Sequence, residues 1–164
     1  MKKILFGLFT IIFTLPFLNC EPDDVCPQGT PTTPRMIVQF FDNNNPTNLK
    51  TVTDLKVTAE GMSTSLDFTG SNKIELPLKV NGNQVHYTFQ INSKNSTLAK
   101  DDQITLNYSR NDVYISRACG YKTEFTLNTP NGATLTTPKN WIQEVTIQKT
   151  SIVNENETHI KIFF

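Results

Sequence analysis

Hydrophobic and polar residues alternate along most of the chain from Arg35 onward, in short segments separated by turn-forming residues. Leu55, Val57 and Ala59 alternate with polar neighbours, which is the two-residue period of a strand with one buried face. The segment from Met36 to Phe41 is instead an almost continuous apolar run, typical of a strand buried on both faces. The pattern therefore predicts an all-β protein.

Further segments with strand character are 74–80, 85–91, 104–108, 113–115, 119–127, 141–147 and 158–164. Pro77 cannot donate a hydrogen bond to a sheet, so it places its strand at an edge or at a bulge. Asn81-Gly82-Asn83 favours a tight hairpin, because Asn and Gly tolerate positive φ. Arg110-Asn111-Asp112 predicts another turn, and the alternation from Cys119 to Leu127 directs Cys119 and Tyr121 toward the core.

Eight or nine short strands joined by turns are typical of an antiparallel β-sandwich with immunoglobulin-like or related Greek-key connections. A closed β-barrel is the structural alternative. We expect one such domain over residues 35–164, because a chain of this length has room for a single core.

The N-terminus has the layout of a secretory signal: Lys2 and Lys3, followed by an apolar run from Ile4 to Leu18. This run is shorter than the roughly 20 residues of a membrane-spanning helix. Cys20 stands at its end, and Phe17-Leu18-Asn19-Cys20 resembles a bacterial lipobox. The usual lipobox has an aliphatic residue three positions before the cysteine and a small residue just before it, so the match is imperfect.

The resemblance implies that the signal, residues 1–19, is removed and that Cys20 is acylated. Several acyl chains give stable membrane anchoring, because each buried CH₂ contributes about 0.8 kcal/mol. Residues 20–34 are rich in Pro and are expected to form a short tether. A plain signal peptide that is cleaved nearby is the alternative.

Cys26 and Cys119 remain once Cys20 is assigned to lipid, and they are the only intramolecular pair that an exported chain could form. We predict a disulfide between them, with two separate buried thiols as the alternative. A metal site is not expected, because neither His86 nor His159 lies at ligand spacing from a cysteine.

The composition argues against a nucleic-acid partner. The chain has 15 basic and 15 acidic residues, and charged residues make up only 18% of it. The charges are balanced, and the sequence shows no cluster of basic residues that could neutralise phosphates. No cofactor-binding motif is present either, so no cofactor is predicted.

Three groups of residues could carry chemistry. Asp42-Asn43-Asn44-Asn45 offers oxygen ligands for calcium, although an Asx-rich turn explains it better. Asp101-Asp102 is read as the start of a strand rather than as a catalytic pair. His86 and His159 are expected to project from sheet faces, and no G-x-S-x-G nucleophile elbow accompanies them, so an enzyme is not predicted.

Exposed aromatic residues could bind sugar or protein. Tyr114, Trp141 and Phe163 are candidates for such a platform, and a Trp141 that caps the sandwich is the preferred interpretation.

Two segments resemble a family of small uncharacterised lipoproteins from flavobacteria (Bacteroidota): Asp102 to Thr123, reading DQITLNYSRNDVYISRACGYKT, and Asn154 to Phe164, reading NENETHIKIFF. The resemblance implies the outer membrane of a Gram-negative bacterium. Glu21, Asp23 and Asp24 resemble the acidic surface-export signal of such lipoproteins, which leaves the periplasmic and the surface face both open.

The expected function is that of a membrane-anchored, non-catalytic β-sandwich that binds an envelope protein or glycan or supports an envelope assembly. The alternatives are a hydrolase whose site is assembled from distant residues and a calcium-dependent carbohydrate-binding module.

Overall fold

The computed structural model describes residues 25–136 and 139–164. Its eleven strands are β1 (Met36–Phe41), β2 (Leu55–Ala59), β3 (Leu66–Phe68), β4 (Lys73–Leu76), β5 (Gln84–Ile91), β6 (Lys100–Ser116), β7 (Gly120–Leu127), β8 (Ala133–Thr136), β9 (Glu144–Ile147), β10 (Ser151–Ile152) and β11 (Ile160–Phe163). The described part of the chain contains no helix, and therefore none that could cross a membrane.

The chain forms two compact units. One consists of the described residues 25–30 together with Tyr114–Tyr121, and the other of Pro31–Val113 together with Lys122–Phe164. The strands form a four-stranded sheet in the order β4-β1-β11-β9 and a seven-stranded sheet in the order β10-β7-β6-β5-β2-β3, with β8 paired to β6. Two sheets and no helix confirm the predicted all-β sandwich.

Eleven strands exceed the predicted eight or nine because several strands are very short. β3 has three residues and β10 has two. Segments of this length contain no complete hydrophobic repeat, so alternation cannot reveal them.

One strand pair departs from an antiparallel arrangement. β1 lies between β4, to which it is antiparallel, and β11, to which it is parallel, with Val38 opposite Ile160. Side-chain alternation is the same in parallel and antiparallel strands, so the sequence pattern could not indicate this direction.

The core of the larger unit is built from the inward faces of both sheets. β5 alternates as predicted, with Val85, Tyr87, Phe89 and Ile91 buried. β1 is buried on both faces as predicted: Met36, Val38 and Phe40 join the main core, while Ile37 and Phe41 are buried outside that cluster. β4 lies at the edge of its sheet, in agreement with Pro77 directly after it.

The predicted hairpin at Asn81-Gly82-Asn83 is wrong. The strands on either side of it, β4 and β5, belong to different sheets, so the segment crosses between them. The Tyr108 hydroxyl accepts a hydrogen bond from the Lys79 N–H (2.9 Å) and donates one to the Lys79 carbonyl (3.1 Å). The Tyr87 hydroxyl donates to the Pro77 carbonyl. Two core tyrosines thus hold the crossing segment in place.

The predicted turn at Arg110-Asn111-Asp112 is also wrong, because β6, a strand of 17 residues, continues through these three positions. Arg110 Nε donates to Asn83 Oδ1 at 2.9 Å. The Asp112 carboxylate accepts the Thr123 hydroxyl of β7 at 2.7 Å. These polar residues are satisfied by neighbouring segments, so they do not need to end the strand.

The alternation from Cys119 to Leu127 holds only for its later residues. Phe125 and Leu127 are buried, whereas Tyr121 is 69% exposed. Cys119 lies in the turn between β6 and β7, before Gly120 with φ 70°. The prediction that Tyr121 points into the core is therefore wrong, whereas Cys119 is partly buried in the turn.

Candidate functional site

The acidic candidates from the sequence have structural partners. Asp42 Oδ1 accepts the Asn44 N–H at 3.1 Å and lies 3.5 Å from Lys50 Nζ. Asn45 Oδ1 accepts the Thr47 hydroxyl at 2.9 Å. These are the bonds of an Asx-rich turn. Across residues 25–136 and 139–164, no three His, Cys, Asp or Glu side chains are grouped so as to hold a metal ion.

Asp102 is a buried acceptor for backbone N–H groups. Its side chain is in β6 and is 2% exposed. Oδ1 accepts the N–H of Asn140, and Oδ2 accepts those of Trp141 and Ile142, each at 2.7 Å. This carboxylate fixes the segment that leads into β9, whereas Asp101 is exposed.

His159 is buried, and the prediction that it projects from a sheet face is wrong. Its ring Nδ1 accepts the Ile37 N–H at 2.9 Å, and the backbone N–H of His159 donates to the Ile37 carbonyl at 3.0 Å. The side chain therefore extends the pairing between β1 and β11, the strand that begins directly after His159. Burial, with a smaller effect of the Lys149 ammonium, lowers the pKa of His159 to about 4, so the ring is neutral at pH 7.

His86 lies on the polar face of the seven-stranded sheet. Its Nδ1 is 2.8 Å from the Thr105 hydroxyl, its Nε2 is 3.0 Å from Gln84 Oε1, and Glu60 is 3.7 Å from Nε2. A hydroxyl beside a histidine resembles part of a nucleophilic site. Gln103 to Leu106 of β6, however, pair with β5 on one side and β8 on the other, so their N–H groups are committed to the ladder and cannot form an oxyanion hole.

The three candidate aromatic residues do not come together. Trp141 is buried, its Nε1 donates to the Phe89 carbonyl at 3.0 Å, and it packs on Phe164, which matches the capping interpretation. Phe163 packs against Phe41 at 5.5 Å. Tyr114 instead pairs with Tyr121, at 5.2 Å between ring centroids and 64° between planes. Rings at that angle do not present one flat stacking surface.

Cys26 and Cys119 form a disulfide within the smaller unit, with an S–S distance of 2.00 Å and a Cα–Cα distance of 4.8 Å. The backbone N–H of Cys119 donates to the Ser116 hydroxyl at 3.1 Å. This bridge agrees with the predicted pairing. Cys20, the predicted lipidation site, lies outside the described residues.

An apolar pocket of about 230 Å³ in the larger unit was not predicted from the sequence. Its walls come from β2, β3 and β5 of the seven-stranded sheet and from the segment that crosses between the sheets: Val57, Ala59, Leu66, Leu78, Val85 and Tyr87. Pro77, Lys79 and the loop residues Met62, Thr64 and Ser65 also line it. Val57, Val85 and Tyr87 are buried core residues, so the pocket reaches the margin of the core.

The pocket exists because small residues stand where large ones would close the core. The inward positions of β2 decrease in size from Leu55 through Val57 to Ala59. The next segment turns at Gly61 (φ 80°), and after Met62 it continues with the short polar side chains of residues 63–65. Met62 and Leu66 are 57% and 39% exposed beside the opening. This decrease in size was the sequence signal that could have indicated the pocket.

The electrostatics of the pocket are simple. Among the described residues that line the pocket, only Lys79 and Tyr87 are ionisable. Burial, with a smaller effect of Tyr108, raises the pKa of Tyr87 to about 12, so its hydroxyl remains protonated and bonded to Pro77. Lys79 is exposed, and its ammonium makes no ion pair within the described part of the chain. The pocket therefore combines apolar walls with one positive charge.

The fold and the pocket define a β-sandwich protein with a small apolar pocket between its seven-stranded sheet and the segment that joins β4 to β5. Residues 54–164 match the Family of unknown function (DUF6452), and the chain belongs to that family. The matched region contains every residue that lines the pocket. Comparisons with curated proteins and with solved structures found no match.

Proposed function

We propose that this protein is an envelope lipoprotein, anchored through Cys20, whose β-sandwich is a non-catalytic module that binds an apolar ligand. The apolar pocket between the seven-stranded sheet and the crossing segment carries the binding part of the proposal. Concave apolar pockets with a few polar groups are the usual form of small-ligand sites.

The chemistry of the pocket supports binding rather than catalysis. General acid–base catalysis needs a group whose pKa lies near the working pH. Tyr87, with a pKa of about 12, stays protonated, and its proton is engaged by the Pro77 carbonyl. Most of the remaining walls are aliphatic side chains, which can exclude water from a ligand but cannot transfer a proton.

The binding proposal can be tested by filling the pocket. The dye 8-anilinonaphthalene-1-sulfonate gains fluorescence in apolar sites, and we expect a gain with the wild-type protein. Ala59→Trp places a large side chain in the pocket and should abolish this gain. Thr134→Trp, at an exposed position of β8, is the matched control and should retain it. Equal fluorescence with both variants would contradict binding in this pocket.

The anchoring proposal rests on the charged and then apolar N-terminus that ends at Cys20. Cys20→Ala should prevent acylation and release the protein from the membrane fraction, measured by cell fractionation and mass spectrometry. Asn19→Ala, which brings the sequence closer to a lipobox, should leave anchoring intact. A Cys20→Ala protein that stays in the membrane with unchanged processing would overturn the proposal.

The outer membrane of a Gram-negative bacterium is the proposed location. Glu21, Asp23 and Asp24 next to the anchor support display on the surface. Protease added to intact cells should then degrade the wild-type protein, whereas a variant with all three acids changed to Asn or Gln should be protected. Protection of the wild-type protein would place it on the periplasmic face.

A further inference from the structure

We infer that the pocket binds a single-chain amphiphile with a monoanionic head, such as a medium-chain carboxylate. The inference rests on the proposed binding function and names the class of ligand. Three properties of the pocket carry it: the apolar walls, the volume and the position of Lys79.

The walls select a hydrocarbon. Val57, Ala59, Leu66, Leu78 and Val85 offer no hydrogen-bonding side chain. The Tyr87 hydroxyl already donates to Pro77. Thr64 and Ser65 of the loop supply the only hydroxyls among the described lining residues besides Tyr87, so a ligand with polar groups along its length would lose more hydrogen bonds to water than it could regain here. An unbranched alkyl chain makes no hydrogen bonds to water and so loses none, and the burial of its apolar surface is favourable.

The volume limits the length of the chain. An apolar cavity of about 150 Å³ accepts benzene, which has six carbons. By the same proportion, the 230 Å³ pocket accommodates a chain of about eight to ten carbons. Additional carbons would extend into solvent and contribute little to binding.

Lys79 determines the charge of the head group. It lines the pocket and is exposed, and no acidic residue is among the described residues of the lining. Its backbone position is fixed, because both its N–H and its carbonyl bond to the Tyr108 hydroxyl. The ammonium on its flexible side chain is the one positive charge among the described lining residues, so an anion at the mouth has one positive neighbour. A single ammonium group suits a monoanion better than a multiply charged phosphate, which usually needs several donors.

The test uses the full chain with Cys20→Ala, so that the protein's own acyl chains do not compete. Isothermal titration calorimetry would compare unbranched carboxylates of six to sixteen carbons with alcohols and trimethylammonium ions of the same chain length. Each added CH₂ should lower Kd about fourfold up to about ten carbons, after which Kd should level off. Carboxylates should bind about two- to fivefold more tightly than the alcohols, since an exposed ion pair contributes little.

Two sets of variants separate the charge from the pocket. Lys79→Gln should remove the preference for carboxylates, and Lys79→Glu should reverse it, while Lys100→Gln, an exposed lysine on β6, should leave it unchanged. Ala59→Trp should abolish binding of all three classes. The lysine variants change an exposed side chain and should fold normally, so the test remains valid even if Ala59→Trp is unstable.

The outcomes distinguish this inference from the proposed function. If the alcohols bind as tightly as the carboxylates and Ala59→Trp blocks both, the pocket is a binding site and the anionic head is wrong. If affinity keeps rising beyond ten carbons, the length limit is wrong. If no class binds, the binding function itself is overturned.

Discussion

Asp102 shows how one buried side chain can organise a loop. A buried carboxylate is costly unless hydrogen bonds compensate it. Here three backbone N–H groups provide that compensation, and all three belong to consecutive residues, Asn140, Trp141 and Ile142. The same arrangement keeps the Trp141 ring in the core. Asp102 is therefore a structural residue of the sandwich.

Asp102→Ala should lower the free energy of unfolding by about 3 kcal/mol or more, because it leaves three N–H groups without an acceptor. Urea denaturation followed by Trp141 fluorescence measures the change. Asp101→Asn, at the exposed neighbouring position, should change stability by less than about 0.5 kcal/mol. Similar effects of the two substitutions would contradict the role assigned to Asp102.

His159 makes stability depend on pH. Its folded pKa of about 4 lies below the ordinary value of 6.5, because the buried ring is held neutral with Nδ1 as an acceptor. The unfolded chain then binds more protons than the folded chain between these values. The resulting stabilisation is complete above about pH 6.5 and is lost as the pH falls toward 4.

The wild-type protein should lose at most about 3 kcal/mol of stability across this window, since one pKa unit is worth about 1.4 kcal/mol. His159→Asn keeps an acceptor for the Ile37 N–H but does not titrate, so its stability should be nearly flat from pH 6.5 to 4.5. His86→Asn, at a part-exposed histidine, should retain the wild-type dependence. Urea denaturation at a series of pH values tests both. A steep decline in His159→Asn would assign the effect to other groups.

At the level of elements, the segment that joins β4 to β5 is held by side chains rather than by strand pairing. Pro77 cannot donate, and the chain leaves the four-stranded sheet there. Tyr108 then provides both a donor and an acceptor to Lys79. The two tyrosines replace the ladder bonds that the crossing segment cannot make, and Tyr87 also lines the pocket.

Tyr108→Phe should destabilise the protein by about 1–3 kcal/mol, because it leaves the N–H and carbonyl of Lys79 without their partner. Hydrogen exchange at the Lys79 amide should accelerate more than exchange at amides of β5. Tyr114→Phe, at a residue that is 57% exposed, is the matched control and should have almost no effect. Unchanged exchange at Lys79 in Tyr108→Phe would show that the bond does not hold the segment.

Periodicity predicted several strands but divided β6, the longest one, and failed where tertiary contacts decide. β1, β2 and β5 were recognisable because several inward positions repeat at the strand period. The Asn81-Gly82-Asn83 segment has the composition of a hairpin, but the bonds that make it a crossing come from Tyr87 and Tyr108, which are distant in sequence. Arg110 and Asp112 were read as a turn because their partners, Asn83 and Thr123, could not be known.

The same reasoning explains why the pocket was missed. A pocket is formed by what neighbouring elements leave unfilled, and Ala59 looks like any inward strand residue until the crossing segment is placed opposite it. His159 was misplaced because it stands just before β11 and bonds to a strand near the other end of the chain. The cysteine pair could be predicted, since elimination left only two candidates.

At the scale of the whole molecule, the Cys26–Cys119 disulfide closes a long loop of the chain. It joins residues separated by 93 positions and so restricts the unfolded chain more than the folded one. A loop of this length stabilises by up to about 4–5 kcal/mol in the chain-entropy model. Its effect should therefore be evident in global unfolding.

Replacing both Cys26 and Cys119 with Ala, in a Cys20→Ala background, should lower the free energy of unfolding by up to about 4–5 kcal/mol. The single Cys20→Ala protein treated with a reductant should show a similar decrease. Thiol labelling with and without reduction checks the bridge directly. Identical labelling of Cys26 and Cys119 in both conditions would show that they are not bonded.

The parallel pairing of β1 with β11 limits the order in which a nascent chain can complete its structure. Ile37 and His159, which bond to each other, are 122 residues apart. Contacts of such high contact order form slowly. β4 can pair with one edge of β1 early, but the other edge has to wait for the C-terminal strand. Until then an apolar strand edge is available to other chains, so the nascent chain depends on the late pairing of β11 to end that exposure.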